Sequence, residues 1–243
     1  MFKVCEVFRS VQGEGIDIGM PMIFIRFNGC NLACTWCDTV YASREGNPFE
    51  EISVEELVKK IEEFPPTMGI TFTGGEPFIQ DKDELDKLIY ELKGRGYFVN
   101  IETNGKYLPE LNHGDLVDRF SISPKLASSG NADGVNLEEL NHYLQLYPRA
   151  MFLKFVIGDE ADFNQMMEIL NNLGGADALK NIPIVVQPNI NHQTAESIEE
   201  QTKGYKTLLN MLLMGGHAKE AREFSIRIIP QFHKYIWANK RAV

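Results

Sequence analysis

The residues best placed for chemistry lie in Gly29-Cys30-Asn31-Leu32-Ala33-Cys34-Thr35-Trp36-Cys37-Asp38-Thr39, where three cysteines are spaced Cys-x3-Cys-x2-Cys. Three thiolates can hold a four-iron cluster and leave one iron without a protein ligand. Electron-carrier clusters use four cysteines, so a triad points to an open iron at which a second molecule can bind. A zinc site is the alternative, but zinc takes four ligands and commonly uses paired Cys-x2-Cys units. The fourth cysteine, Cys5, is far upstream and has no paired neighbour. A disulfide framework fits worse, because 4 cysteines in 243 residues are sparse and no segment resembles a secretory signal. Cys5 therefore reads as a small packing residue, and the remaining alternative for the triad is that it is simply buried.

Four further segments carry polar groups in informative settings. Thr73-Gly74-Gly75-Glu76-Pro77 reads as a turn when taken alone. After a strand, however, two residues without Cβ allow close backbone approach to a ligand, and the adjacent carboxylate can accept from an ammonium. Phe8-Arg9-Ser10-Val11-Gln12-Gly13-Glu14-Gly15-Ile16-Asp17-Ile18-Gly19 reads as a hairpin connection whose Gln12 and Glu14 suit the edges of a heterocycle. Glu102-Thr103-Asn104-Gly105 and Ser123-Pro124-Lys125 complete the set. Arg26 offers a planar fork for a carboxylate or, more commonly, a strand-end ion pair. His113, His142, His192 and His217 lack metal-ligand spacing and read as surface or loop residues.

Positioning these groups requires repeated βα units, and the chain supplies their pattern. Strands are expected at 22–27, 70–73, 97–102, 120–123, 151–157, 184–187 and 225–229. Between them, Val54, Leu57, Val58 and Ile61 share one helical stripe, as do Leu85, Leu88, Ile89 and Leu92. Ser53 with Glu56 makes a capping-box pattern, and Pro65-Pro66 stops the helix it starts. Further helices are expected at 137–146, 162–173 and 197–213. Parallel strands gather ligand groups at their carboxyl ends, where Cys30, Gly74-Gly75, Thr103-Asn104 and Ser123-Lys125 all fall. Six or seven mainly parallel strands are too few for a closed eight-unit barrel, so the expected fold is α/β, an open partial (β/α) barrel.

Composition narrows the class. A 243-residue chain can bury one large core, and no repeat, linker or low-complexity tract divides it, so residues 1–243 read as a single domain. No apolar run approaches the roughly 18 residues that span a bilayer. With 34 acidic against 24 basic residues the formal net charge is -10, which disfavours nucleic-acid binding. A cytoplasmic enzyme with a small-molecule substrate is the expectation.

The cysteine triad together with Gly74-Gly75-Glu76-Pro77 resembles the radical S-adenosylmethionine superfamily. The addition of Gln12-Gly13-Glu14, Arg26, Asp38-Thr39 and the ending from Pro230 to Val243 narrows the resemblance to the 7-carboxy-7-deazaguanine synthase family, along the whole chain. That resemblance implies a barrel of the superfamily type. It also implies conversion of 6-carboxy-5,6,7,8-tetrahydropterin to 7-carboxy-7-deazaguanine with loss of ammonia, in queuosine and deazapurine biosynthesis. The cofactors carry the hard chemistry, and the protein orients and shields it. Carried over by motif, Cys30, Cys34 and Cys37 bind the 4Fe-4S cluster. Trp36, Cys37, Asp38, Gly75, Glu76, Ser123, Pro124 and Lys125 hold S-adenosylmethionine. Gln12, Gly13, Glu14, Arg26 and Thr73 contact substrate, joined by His233 and Val243 from a tail (about 230–243) that completes the pocket with the N-terminal loop (about 8–19). Thr39 takes the family's magnesium position, a hard oxygen sharing Mg2+ with substrate. The implied partners are a flavodoxin or ferredoxin-type reductant and a second copy of the chain in a homodimer.

Three readings compete with this one: a glycyl-radical activating enzyme, which would share the triad but admit a protein loop; a radical S-adenosylmethionine enzyme acting on another carboxylated heterocycle, which only a substrate screen would separate; and a non-catalytic iron- or zinc-binding module. No motif assigns the stretch from Asp159 to Glu223, nor Gln187 and Asn189 at the end of the sixth expected strand.

Overall fold

The computed structural model describes residues 1–44, 46–131, 133–189 and 198–237. Val243, the tail beyond Trp237, His192 and the expected helix start at Ser197 lie outside them. The strands are β1 Phe2–Val11, β2 Pro21–Phe27, β3 Glu50–Ile52, β4 Gly69–Gly74, β5 Phe98–Thr103, β6 Arg119–Ile122, β7 Met151–Ile157, β8 Ile184–Pro188 and β9 Arg227–Ile228. The helices are α1 Val40–Ser43, α2 Val54–Glu62, α3 Lys82–Gly94, α4 Leu137–Leu146, α5 Glu160–Asn172, α6 Gly175–Leu179, α7 Ile198–Leu209, α8 Ala218–Glu223 and α9 Phe232–Trp237.

All nine strands form one sheet ordered β3-β1-β2-β4-β5-β6-β7-β8-β9. From β2 to β9 the pairings are parallel, which makes the expected open, partial (β/α) barrel. The expected strand count needs correction. β1 and β3 add an antiparallel flank, the first obscured by charged residues at Lys3, Glu6 and Arg9, the second too short to give a periodic signal. The helix expected over 197–213 also divides: α7 ends at Leu209 and a wider π turn follows over Asn210–Met214.

Alternation along the parallel strands separates two environments. Ile23, Ile25 and Phe27, Ile70 and Phe72, Val99 and Ile101, Phe120 and Ile122, and Leu153 and Phe155 point outward into one buried apolar cluster with the helices. Both expected helical stripes are buried there, on α2 and α3. The inner face is instead polar. Ser121 donates to Asn100 (2.8 Å), Asn100 to Thr71 (3.3 Å), and Thr71 lies 3.2 Å from the Met22 sulfur. Ser53 closes the capping box with Glu56 at the start of α2. Among the described residues no helix is long and apolar enough to cross a membrane.

Candidate active site

The inner faces and their connecting loops enclose a cavity of about 830 Å³. One end is built by the segment after β2. Cys30, Cys34, Trp36, Cys37, Asp38 and Thr39 all line the cavity there, with Gly74 and Gly75 beside them. The double glycine also packs backbone on backbone: Gly75 donates to the Phe27 carbonyl (3.0 Å) and Glu76 to that of Gly29 (2.8 Å). A Cβ on Gly75 would lie 1.6 Å from the Gly29 oxygen, so what approaches closely is the backbone leading into the cysteine loop. Glu76 is likewise turned into the wall. The residue is 1% exposed, its carboxylate accepts from the amides of Phe78 (3.1 Å) and Asn104 (2.8 Å), and burial pushes its pKa up to about 7. Pro124 also stays out of the lining, whereas Ser123 and Lys125 join it.

The donor set fits an iron–sulfur cluster with three protein thiolates. Each sulfur has a polar neighbour: the Leu32 amide at Cys30 (3.5 Å), Asn131 Nδ2 at Cys34 (3.3 Å) and Ser43 Oγ beside Cys37 (3.4 Å). Such contacts tune cluster potential. Burial, with Glu76 and the other two thiols adding to it, pushes the Cys30 thiol up to about 11, so a bound metal would supply the charge that deprotonates it. Among the described residues no three His, Cys, Asp or Glu side chains converge as ligands of a single ion. Cys5 is apart from the cavity, its sulfur 3.3 Å from Asn28 Nδ2. The buried Trp36 Nε1 has no acceptor, and the Trp36 ring lies 5.7 Å from Lys125 Nζ, leaving an indole N–H for a ligand to satisfy.

The other end comes from a different direction. The β1–β2 hairpin leaves from the rim opposite the cysteines and turns inward. Asp17 pairs there with Arg119, the first residue of β6 (2.8 Å). Gln12 thereby sits inside the barrel: it donates to Glu102 Oε1 (2.9 Å) and accepts from the Glu14 amide (3.1 Å). Thr73 donates to the other oxygen of Glu102 (2.8 Å). Glu14 pairs with Lys154 of β7 and accepts from Gln231 Nε2 (2.7 Å). Burial alone would raise the Glu14 pKa, but Lys154, His233 and these hydrogen bonds hold it far below the usual carboxylate range.

Residues 231–234 close the site. The Phe232 amide donates to the Gly13 carbonyl (2.7 Å), and His233 packs so tightly on Gly13 that a Cβ there would meet its ring nitrogen at 2.1 Å. Burial lowers the His233 pKa against the opposing pull of Glu14. Lys234 reaches Asp38 at 3.5 Å. Arg26 makes the strand-end ion pair that its position suggested. Its Nε pairs with Glu6 (2.6 Å), and its guanidinium, between the rings of Phe8 and Tyr41, also lines the cavity. Thr39 lines it too, donating to the Gly74 carbonyl (3.3 Å).

The sequence flagged Glu102 only within the segment Glu102–Gly105 and gave it no role, and it passed over Lys154, although both line the cavity. For Lys154 a signal was available: it is the one charged residue in the otherwise apolar run Met151–Ile157. Of the unassigned pair, Asn189 lines the cavity, and Gln187 is buried with its Oε1 unpartnered.

Known proteins match this chain along its length. The family model described as the radical SAM superfamily matches residues 24–202. The 7-carboxy-7-deazaguanine synthase of Pyrobaculum aerophilum is 31% identical over 242 residues, covering 98% of this chain and 96% of that protein. The synthase of Aquifex aeolicus is 33% identical over 231 residues, with 94% and 90% covered. In fold, the chain is similar to the crystal structure of QueE from Escherichia coli, with a TM-score of 0.67 at 24% sequence identity over 93% of this chain and 92% of that one.

Proposed function

The chain belongs to the radical SAM superfamily and, within it, to the 7-carboxy-7-deazaguanine synthase family, and from that membership we propose how its cavity divides between cofactor and substrate. It is a radical SAM lyase of 7-deazapurine biosynthesis. The reaction is conversion of 6-carboxy-5,6,7,8-tetrahydropterin to 7-carboxy-7-deazaguanine with release of ammonia. When bound, the 4Fe-4S cluster and S-adenosylmethionine supply the hydrogen-abstracting radical that starts ring contraction.

Cys30, Cys34 and Cys37 hold the cluster. Around it Trp36, Asp38, Gly75, Ser123 and Lys125 orient S-adenosylmethionine, and Glu76 acts from within the wall by fixing the Asn104 amide. Gln12, Gly13, Glu14, Thr73 and His233 form the substrate end, where Arg26 offers the guanidinium edge not used by Glu6 to the substrate carboxylate. Thr39 supplies a magnesium oxygen between the two ends. Enclosure by residues 231–234 keeps water from the reacting centre. The observation that carries this reading is a single cavity lined by the thiol triad and also by Gln12, Glu14 and Arg26.

A flavodoxin or ferredoxin-type donor provides the electron, in a cytoplasm whose reducing conditions preserve three free thiols. Exposed Leu209, Leu213 and Met214 offer apolar surface to a homodimer. The test is anaerobic turnover with reductant, S-adenosylmethionine and the carboxytetrahydropterin, with and without magnesium, following 7-carboxy-7-deazaguanine by mass. Product is expected, with a higher rate when magnesium is present. Cleavage of S-adenosylmethionine without product would refute the substrate, and magnesium-independent turnover would refute the role of Thr39.

A further inference from the structure

We propose that Lys154 is a positioning residue for the substrate end of the cavity, holding the Glu14 carboxylate as the acceptor for a paired N–H edge of the heterocycle. The inference rests on the substrate reading above and deepens it. Lys154 occupies the inner face of β7, in the otherwise apolar run Met151–Ile157. The inner positions of β4, β5 and β6 are filled by Thr71, Asn100 and Ser121, which satisfy one another. A lysine at that depth has no packing rationale and is costly to desolvate unless paired. Its partner is Glu14, which the inward turn of the β1–β2 hairpin brings across the barrel.

The geometry leaves the pair with capacity to spare. Lys154 satisfies one Glu14 oxygen and Gln231 the other, whereas a carboxylate offers about four acceptor positions. Both Glu14 and Lys154 line the cavity. Beside them, the Gln12 amide is fixed at both ends and cannot rotate to follow a ligand. The titratable groups acting on Glu14 are Lys154 and His233. Those facing Lys154 are Glu14, Glu102 and Asp38, with Lys125 opposing. A carboxylate held in this way matches a ring N–H beside an exocyclic amine, two parallel donors spaced for bidentate bonding. A ring with an oxo group in place of the amine presents an acceptor to an acceptor and is rejected. Lys154 therefore sets both the ionisation and the aim of the group that reads the 2-amino edge.

The experiment measures anaerobic binding of 6-carboxy-5,6,7,8-tetrahydropterin and its 2-oxo analogue, by calorimetry on cluster-loaded protein without S-adenosylmethionine. The variants are Lys154→Met, Lys154→Arg, Glu14→Gln and the double Lys154→Met/Glu14→Gln. Lys154→Met is expected to weaken pterin binding about tenfold, the loss of a charged hydrogen bond's worth of positioning, and to reduce the preference for the 2-amino ring. S-adenosylmethionine affinity should not change, and Lys154→Arg should recover part of the loss. The double variant should bind no worse than the weaker single one, because Lys154 acts through Glu14. It also leaves no unpaired buried charge, so it remains informative if Lys154→Met alone does not fold. Wild-type pterin binding in Lys154→Met overturns the proposal, as do additive losses in the double variant, which would make Lys154 a direct contact. A wild-type protein that binds neither ring overturns the substrate reading itself, and this inference with it.

Discussion

At the scale of single residues, the site depends on groups held where water would otherwise satisfy them. Cys30, Cys34 and Cys37 face one cavity while Cys5 is occupied beside Asn28. Replacing any one of the three by Ala should abolish the cluster's visible absorbance after anaerobic reconstitution, and Cys5→Ala should leave it intact. Survival of the cluster in a triad variant would contradict the ligand set. Glu76 makes a pH-dependent contribution. Its folded pKa, about 7, lies above the ordinary 4.5 because of burial. The stability associated with it is therefore fully present below the unfolded value and is lost as pH rises through about 7. Glu76→Gln keeps an acceptor for the Asn104 amide and removes the charge. Denaturant midpoints of the cluster-free protein should show the variant gaining on wild type between pH 5 and pH 8, whereas a pH-independent difference would mean that Glu76 stays ionised in the fold.

At the scale of elements, alternation along the strands does most of the sorting. Outward Ile, Val and Phe side chains are clamped by helices, and inward Thr, Asn, Ser, Glu and Lys make the cavity wall. The outward half depends on helices such as α2, whose start is fixed by the Ser53–Glu56 capping box. Ser53→Ala should cost about 1 kcal/mol of stability, read as a lower denaturation midpoint with unchanged turnover. A loss of activity at unchanged stability would mean that α2 serves the site directly. The glycines after β4 act at this scale as well, letting two backbone segments lie against each other where any side chain would separate them.

At the scale of the whole molecule, the two ends of the cavity come from opposite rims of the sheet and are joined by contacts between distant parts of the chain. Asp17 to Arg119 and Glu14 to Lys154 tie the hairpin to β6 and β7, and Gln231 and His233 tie the last described helix to the hairpin. Arg119→Met should loosen the hairpin, costing about 2 kcal/mol as a charged hydrogen bond is lost. It should raise KM for the pterin more than the Kd for S-adenosylmethionine, since the cysteine end is built separately. An equal effect on both ligands would show that the two ends are mechanically coupled.

Much of this was legible in the sequence because it is local. Cysteine spacing, helical stripes, the capping box and the β-branched runs each express a short-range rule, and they indicated the parallel barrel and the loop in which the three thiols lie. β1 and β3 were not legible, since an antiparallel flank stitched by backbone pairing needs little periodicity in side chains. The sequence by itself marked Cys30, Cys34 and Cys37 as candidate cluster ligands and Gln12, Glu14 and Arg26 as candidate substrate contacts. Only the tertiary structure decided that Glu102 and Lys154 belong with them, that Glu76 faces the wall, and that Arg26 is both paired and presented. The physical reason is that a buried charge must find its partner through space, and the partner's distance along the chain leaves no trace in local pattern.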